Sequence, residues 1–383
     1  MIKIVNDITT LNGALTELGE TIATNISAKG VTASASDGLT TLAEKILDIE
    51  QGQGQGQNIV TYEPITTSFN YTRLHGNNGF TVNIPNGVVS IDAYCFYYCF
   101  GLKDVTIPSS VTSIGTYAFY QCTNLTSITL PSHVTSITDR CFSNCTGLTS
   151  ITLPSDLTSI GSYCFAGCTN LTSITIPSSV TSIGAQCFYG SGLTSITIPS
   201  SVTNIGYKCF SNCSDLINVI FPSNLTSIGE SCFYSCPNLT SVTLPSSLTS
   251  IERSFFQNCT NLTSVTLPSN VTSIGNQCFG NCTNLTSITI PSSVTSIGAQ
   301  CFYGSGLTSI TIPSSVTNIG DKCFKRCTSL SNIIFESTTP PTIDEDECFY
   351  DVTATVTVPQ GSLSDYQTVL SGQSGRLTIV EAQ

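Results

Sequence analysis

Apolar positions recur along this chain with a period of 23 residues, shortened to 22 after Leu171 and after Leu285. Taking the leucine of the stretch LTSITIP as position 1 fixes the start of each unit. The starts fall at Gly79, Leu102, Leu125, Leu148, Leu171, Leu193, Leu216, Leu239, Leu262, Leu285, Leu307 and Leu330. A fixed period of this length predicts a solenoid, in which each unit buries its apolar side only against its neighbours.

Each unit has an internal pattern of its own. In the unit that begins at Leu125, Ile128 and Leu130 alternate with polar residues as in a β-strand, and a proline follows at position 7. Val134 and Ile137, at positions 10 and 13, are expected to point back to the core. The glycine that is usual at position 14 predicts a sharp turn, and positions 15–21 predict about two turns of α-helix or 3₁₀-helix.

These elements predict an α/β solenoid with a parallel β-sheet on one face and short helices or 3₁₀ turns on the other. Twelve strands that lie about 4.8 Å apart give one continuous sheet roughly 50–60 Å long.

A different pattern precedes the repeats. Residues spaced by threes and fours predict a small helical hairpin within residues 1–50, followed by a flexible linker, QGQGQGQ, at 51–57 and a β-rich lead-in at 58–78. The apolar stripe of the hairpin packs on itself or, as the linker favours, mediates homo-oligomerisation or docking onto a larger assembly. The stripe consists of Ile8, Leu11, Leu15, Leu18, Ile22, Leu39, Leu42 and Ile46.

The end of the periodic pattern places the remaining boundaries. The repeats occupy residues 79–338, and a C-terminal cap occupies residues 339–383. Residues 168–206 are identical to residues 282–320, which lie 114 positions, or five repeats, further along. This identity indicates duplication of a five-repeat block, so few positions of the array are expected to be specialised.

Charge is sparse and acidic, with 9% charged residues and a formal net charge of −12. A nucleic-acid partner, which needs a positive face, is therefore not expected. No apolar run reaches the roughly 18 residues of a membrane-spanning helix. The first residues show no basic region followed by an apolar core, so neither membrane insertion nor a secretory signal is expected.

The chain contains 19 cysteines, mostly at positions 17 and 21, as with Cys141 and Cys145. A spacing of four on a helical turn gives poor disulfide geometry, and the absence of CxxC pairs argues against a zinc site. The pattern favours a ladder of small buried thiols, with inter-repeat disulfides and a metal site as alternatives. So many free thiols are typical of a reducing compartment.

No arrangement of residues predicts catalysis. The two histidines are His75, in a loop before the array, and His133, at a surface position of a repeat, and the chain has no glycine-rich nucleotide loop. We therefore expect a protein that is not an enzyme and that uses no cofactor and no metal.

The exposed side of the strands is the predicted binding surface. Positions 3 and 5 carry serine and threonine in most units, and these hydroxyl groups can contact a glycan or a flat protein surface. Alternatively, threonine is present because it suits an exposed strand. Asp104 and Ile220 break this hydroxyl pattern, and Ile220, followed by Phe221, marks a specialised patch. The candidate binding residues are Asp104, Thr129, Thr152, Thr175, Thr197, Ile220, Thr243, Thr266, Thr289 and Thr311.

The unit LTSITIPSSVTSIGAQCFYGSG resembles the BspA-like (Treponema-type) leucine-rich repeat, whose units read LxxIxIPxxVxxIGxxAFxxC. The resemblance covers residues 79–335 and implies a leucine-rich-repeat solenoid. It also implies a surface protein that binds host matrix or other cells. The tail VTVPQGSLSDYQTVLSG, at 356–372, resembles the cap that closes such arrays.

The N-terminal stretch IATNISAKGVTASASDGLTTLAEKILDI resembles short helical segments of tailed-phage and archaeal-virus structural proteins. With no secretory signal in view, this resemblance implies a virion tail, fibre or baseplate component at the virion surface that binds a cell-surface protein or glycan as a receptor. The alternatives are a surface adhesin of an anaerobic gut microbe and a structural solenoid without a ligand, located at the cell surface or in the cytoplasm.

Overall fold

The computed structural model describes residues 59–61, 68–69, 79–344, 347–373 and 375–383. The predicted hairpin, with its eight positions from Ile8 to Ile46, the linker and most of the lead-in lie outside these residues. Within the described part, the chain winds into a solenoid of short parallel strands. The predicted solenoid fold is thus confirmed.

One side of the solenoid, which we call the front face, is formed by strands centred on positions 3–5. Because the units are nearly identical they stack in register, so that Ser127 pairs with Ser150 and Thr129 with Thr152. Ile128 lies between the two exposed residues of its strand and points into the core. The strands of the front face are β1 (Ile59–Thr61), β3 (Phe80–Asn83), β5 (Leu102–Thr106), β7 (Ser127–Thr129), β9 (Ser150–Thr152), β12 (Ser195–Thr197), β14 (Asn218–Ile220), β16 (Ser241–Thr243), β18 (Ser264–Thr266), β21 (Ser309–Ile312), β23 (Asn332–Phe335), β25 (Thr353–Val358) and β26 (Arg376–Glu381).

A second ladder of parallel strands runs along the solenoid at positions 12 and 13. The sequence pattern predicts only an inward-pointing residue here, yet Ile160 pairs with both Ile137 and Ile183. The strands of the second ladder are β2 (Ser68–Phe69), β4 (Ser90–Ile91), β6 (Ser113–Ile114), β8 (Ser136–Ile137), β10 (Ser159–Ile160), β11 (Ser182–Ile183), β13 (Asn204–Ile205), β15 (Ser227–Ile228), β17 (Ser250–Ile251), β19 (Ser273–Ile274), β20 (Ser296–Ile297), β22 (Asn318–Ile319) and β24 (Thr342–Ile343).

The third side, positions 15–21, consists of tight turns, which corrects the predicted helices or 3₁₀ turns. Its non-glycine residues at positions 16 and 20 adopt positive φ angles between 52° and 64°. Alternate N–H groups therefore donate to the next unit, as Arg140 N does to Ser162 O at 2.8 Å and Phe142 N to Cys164 O at 3.0 Å. A helix would keep these hydrogen bonds within one unit, whereas the turns use them to join neighbouring units. We call this side the turn face.

The described residues contain one α-helix, α1 (Leu363–Leu370), which follows β25 near the C-terminal end. No helix in the described ranges is long and apolar enough to cross a membrane. Strands of both ladders also lie outside the predicted repeats. β1 and β2 lie in the predicted lead-in, and β24, β25 and β26 lie in the predicted cap.

The core is a column of identical layers. Position 18 contributes eleven buried phenylalanines, from Phe96 to Phe324, and Phe349 of the last unit continues the column as the twelfth. Rings of neighbouring units stack with their centroids 5.0–5.7 Å apart. Such stacking adds to the stabilisation that burial of the rings already provides, so the phenylalanine column holds each unit to the next.

All 19 cysteines are buried with free thiols. At position 21 the thiol donates to the carbonyl oxygen of the phenylalanine in the preceding unit, as Cys145 Sγ does to Phe119 O at 3.0 Å. Burial raises the pKa of Cys213 and of Cys327 to about 11, so these thiols stay protonated and remain donors at neutral pH. No group of three or more metal-ligating side chains occurs among the described residues.

The glycine at position 14 is needed because two units approach closely there. A Cβ atom added to Gly184 would lie 2.5 Å from the backbone nitrogen of Ser162. Of the ten units that begin between Leu102 and Leu307, two lack this glycine and carry Thr138 or Glu252 instead. The second ladder is interrupted in front of both, between β6 and β8 and between β15 and β17.

The front face is divided into groups of strands, which corrects the predicted continuous sheet. The groups are β1–β3–β5, β7–β9, β12–β14, β16–β18 and β21–β23–β25–β26. Two of the breaks, between β5 and β7 and between β14 and β16, fall at the junctions of Thr138 and Glu252. The first and last units carry Asp92 and Asp344 in place of this glycine, yet their strands in the second ladder still pair with the neighbouring unit. The association between a missing glycine and unpaired strands therefore holds only in the interior of the array.

We call the junction between the units that begin at Leu216 and Leu239 the seam. Both strand ladders are interrupted there. On the turn face the regular hydrogen bonds continue across it, for example from Phe233 N to Phe255 O at 3.0 Å. The seam is therefore held together by fewer backbone hydrogen bonds than an ordinary junction.

Candidate binding faces

All ten predicted binding residues are exposed, and eight of them lie in strands of the front face. Thr175 and Thr289 do not, because the chain around them forms no strand in the units that begin at Leu171 and Leu285. The prediction that every unit contributes a strand to the binding face is therefore wrong for these two units. Exposure makes the ten residues available for contact, and their role in binding stays a prediction.

Hydroxyl groups of the front face differ in whether they already form hydrogen bonds within the protein. At position 2, Thr149 Oγ1 donates to Thr126 O at 3.0 Å, and Thr263 Oγ1 donates to Thr240 O at 3.0 Å. Among the described residues, the serine and threonine side chains at positions 3 and 5 of β7, β9, β12, β16 and β18 make no hydrogen bond to the protein. These hydroxyl groups remain available to donate to and accept from a ligand.

The seam is the apolar part of the front face. Ile217 is 51% exposed and Ile220 is 54% exposed, whereas most other units carry threonine at these positions. Next to them lies a cleft of about 510 Å³, which we call the seam cleft. It is lined by residues of both units, among them Ile220, Phe221, Ser223, Ser241, Thr243 and Leu244. The described residues that line it include no charged side chain, so the seam cleft fits an uncharged group.

A second exposed surface, on the turn face near the N-terminal end of the array, was missed by the sequence analysis. Five tyrosines of two neighbouring units form this tyrosine patch. Rings stack between the two units, Tyr94 on Tyr117 with centroids 4.9 Å apart and Tyr97 on Tyr120 at 5.1 Å. The fifth, Tyr98, meets Tyr97 edge-on at 4.2 Å.

Arg140 extends the tyrosine patch into the following units. Its guanidinium donates to Tyr117 Oη at 2.5 Å and lies 4.3 Å from the centre of the Tyr163 ring. A hydrogen bond with Tyr98 raises the pKa of Tyr97 to about 12, and partial burial is the second largest cause of this shift. The Tyr97 phenol is therefore neutral at physiological pH, and Arg140 supplies a positive charge to this surface.

The solenoid itself does not require aromatic residues at these positions. The unit that begins at Leu239 has Ser254, Gln257 and Asn258 in the same places, with the same positive φ at the first and the last. Tyr94, with φ of 61°, is 53% exposed although a bulky side chain is disfavoured in this conformation. Counting residue types by position along the repeat would have revealed this concentration of tyrosine.

Comparison with known protein families identifies the family of the repeat. The model for the BspA type leucine rich repeat region matches residues 67–191, 135–263 and 249–363, which together span most of the chain. The chain belongs to the BspA-type leucine-rich-repeat family. Proteins of this family are typically non-enzymatic and typically found at the cell surface.

Solved structures similar to this BspA-type protein are bacterial. A leucine-rich repeat protein from Bacteroides ovatus is 26% identical with a TM-score of 0.56, and the alignment covers 85% of this chain and 92% of that protein. A leucine rich cell surface protein from Faecalibacterium prausnitzii is 31% identical, with coverages of 67% and 88% and a TM-score of 0.43. The pneumococcal vaccine antigen PcpA, 18% identical with a TM-score of 0.50 and coverages of 88% and 91%, shares the fold alone.

No curated protein sequence matches this BspA-type chain. The comparisons give no support to the viral resemblance of the N-terminal stretch, which lies outside the described residues. A virion role therefore rests on that sequence resemblance alone.

Proposed function

We propose that this BspA-type protein is a non-enzymatic recognition or adhesion protein of a cell surface, whose front face binds a protein or glycan on another cell or on host matrix. The observation that supports this best is the set of front-face hydroxyl groups that make no hydrogen bond to the protein. The same serine and threonine recur from unit to unit, so these hydroxyl groups form a regular exposed row that a partner can contact at several units.

The chemistry of the front face favours many weak contacts. Tyrosine, tryptophan and arginine, which dominate strong protein contacts, are missing from β7, β9, β12, β16 and β18. A single hydroxyl-to-ligand hydrogen bond contributes about 0.5–1.5 kcal/mol net, so useful affinity requires several units to bind at once. A repeating partner, such as a glycan chain or an array of surface proteins, supplies such contacts.

Homo-oligomerisation through residues 1–50 would multiply these contacts further. It remains part of the proposal because a linker joins the predicted hairpin to the array. Display on a virion tail or fibre is the weaker placement, since the family match and the solved relatives favour a cellular surface.

Binding to cultured epithelial cells, measured by flow cytometry with the labelled full-length chain, tests the proposal. The double variant Thr129→Asp and Thr152→Asp places two charges on the front face, whereas its control, Ser132→Asp and Ser178→Asp, places two charges on exposed turns. We expect at least tenfold weaker binding for the first variant and no change for the control. Pretreating the cells with protease or with glycosidases separates a protein target from a glycan target. Equal binding by both variants would refute the front face as the binding surface.

A further inference from the structure

The seam cleft has an internal counterpart in the array. The unit that begins at Leu216 reads LINVIFPS, and the unit five repeats later, which begins at Leu330, reads LSNIIFES. Phe221 and Phe335 therefore occupy the same position, and so do Ser223 and Ser337. The other units that begin between Leu102 and Leu307 have leucine or isoleucine in place of the phenylalanine.

In the later unit, the phenylalanine is covered by a tyrosine of the same chain. Tyr366, from helix α1, lies with its ring centroid 5.0 Å from that of Phe335. Its hydroxyl donates to the backbone oxygen of Ser337 at 2.9 Å. Tyr366 is fully buried and Phe335 is 2% exposed, so the tyrosine fills the space beside the phenylalanine.

In the earlier unit, the corresponding space is the seam cleft. Phe221 remains half-buried, and both Phe221 and Ser223 line the cleft. Among the described residues, no aromatic side chain covers Phe221 from outside in the way that Tyr366 covers Phe335; its aromatic neighbour is Phe233 of the core, 6.0 Å away. The two groups that hold a tyrosine in one unit are thus present in the other without one.

We propose that the seam cleft binds a tyrosine side chain presented by a protein partner. The ring packs on Phe221 and the phenol donates a hydrogen bond to the backbone oxygen of Ser223, as Tyr366 does with the equivalent groups. The uncharged lining suits a neutral phenol, and the exposed side chain of Ile220 adds apolar surface to the lining. This inference rests on the proposed recognition function and specifies the chemical group that the front face recognises.

The interrupted ladders and the cleft occur at the same junction. Glu252 stands where glycine allows two units to approach, and the strands on both ladders fail to pair in front of its unit. The strands on either side of Phe221 and Leu244 therefore lack the regular pairing at the seam. The neighbouring junction between β12 and β14 is paired, with Ile198 N donating to Ile220 O at 2.9 Å.

Titration of the full-length chain with a fluorescent peptide of residues 362–370, SLSDYQTVL, tests the proposal directly. Phe221→Ile restores the residue usual in the array and should preserve folding. It is expected to weaken binding at least tenfold, as is a peptide that carries Tyr366→Ala. The matched control, Leu130→Ile, exchanges the residue at the equivalent position of the distant unit that begins at Leu125 and should bind within twofold of the original chain.

A second probe removes any dependence on the peptide's conformation. N-acetyl-tyrosinamide at millimolar concentration should give saturation-transfer NMR signals that Phe221→Ile abolishes, with N-acetyl-alaninamide as the blank. The proposal is overturned if neither probe binds, or if both bind Phe221→Ile and the original chain equally. It is also overturned if a neutral oligosaccharide such as maltoheptaose binds in a Phe221-dependent way and the tyrosine probes do not, because the cleft is then a glycan site.

The two proposals can fail separately. Loss of cell binding in Thr129→Asp and Thr152→Asp tests the hydroxyl-bearing strands and leaves the seam cleft unchanged. Peptide binding without cell binding would retain the cleft and refute the adhesion function. Cell binding without peptide binding would retain the adhesion function and refute the tyrosine site in the seam cleft.

Discussion

Gly184 and Gly190 lie six residues apart in the same unit and are needed for different physical reasons. A Cβ atom on Gly184 would lie 2.5 Å from Ser162 N and 2.6 Å from Gly161 C, both backbone atoms of the preceding unit. A Cβ atom on Gly190 would meet nothing within 4 Å, but its φ of +61° disfavours a side chain. Replacing each by alanine therefore separates the effect of close approach from the effect of backbone conformation.

The two substitutions are expected to lower the free energy of unfolding by different amounts. Gly184→Ala must push two units apart, which breaks the hydrogen bond from residue 184 N to Ile160 O, 2.9 Å long, and weakens the pairing of β10 with β11. Leaving one or two buried backbone groups unpaired costs about 2–4 kcal/mol. Gly190→Ala encounters only the left-handed conformation, at about 1 kcal/mol.

Urea unfolding of the two variants measures the total cost, and hydrogen exchange of residues 158–190 shows where it falls. Because a solenoid can unfold in parts, the exchange data decide the case if the unfolding curve is not two-state. For Gly184→Ala we expect faster exchange confined to β10 and β11. Our explanation of position 14 would be wrong if Gly184→Ala cost no more than Gly190→Ala, or if exchange in the second ladder stayed unchanged.

Glu252→Gly should restore the missing backbone hydrogen bonds at the seam, slow hydrogen exchange of β17 at least tenfold and weaken binding of the tyrosine peptide; unchanged exchange would contradict the role of position 14. Burial raises the pKa of the thiols, to about 11 for Cys213, so their stabilising contribution is complete below the pKa of an unfolded thiol and is lost as pH rises toward the folded value. The free energy of unfolding should therefore fall above pH 9, by about 1.4 kcal/mol per thiol for each pH unit above ~8.5. Urea midpoints should fall with it, whereas a flat profile up to pH 10.5 would show that the thiols are not buried. Finally, the full chain should sediment as a defined oligomer and residues 58–383 as a monomer, and a monomer in both cases would remove the predicted role of Ile8, Leu15 and their neighbours.

The repeat period predicted the solenoid because burial in such a fold depends on sequence spacing alone. It also predicted that Ile220 is unusual, since an isoleucine among threonines at an exposed position is visible without coordinates. The conformation of the turn face was harder to predict from the sequence. Positions 15–21 contain alanine, cysteine and phenylalanine, which suit a helix as well as consecutive turns, and the choice depends on hydrogen bonds to the next unit that no local pattern reports.

The seam and the tyrosine patch could not be predicted for a related reason. The glycine at position 14 reads as a turn residue, whereas its actual role is to let the backbone of the preceding unit come close, so the meaning of Glu252 appears only when two units are placed side by side. Tyr94 and Tyr117 adopt a conformation that disfavours their residue type, and propensity therefore argues against what the structure contains.

The seam also has a mechanical consequence. An ordinary junction of this solenoid is joined on three sides, by the front face, the second ladder and the turn face, and tension along the axis is shared among all three. At the seam, and at the junction in front of Thr138, the load falls mainly on the turn face and the phenylalanine column. A molecule stretched between two surfaces would begin to open at these two points, so the array behaves as three stiff segments that yield at fixed places and extend before they detach.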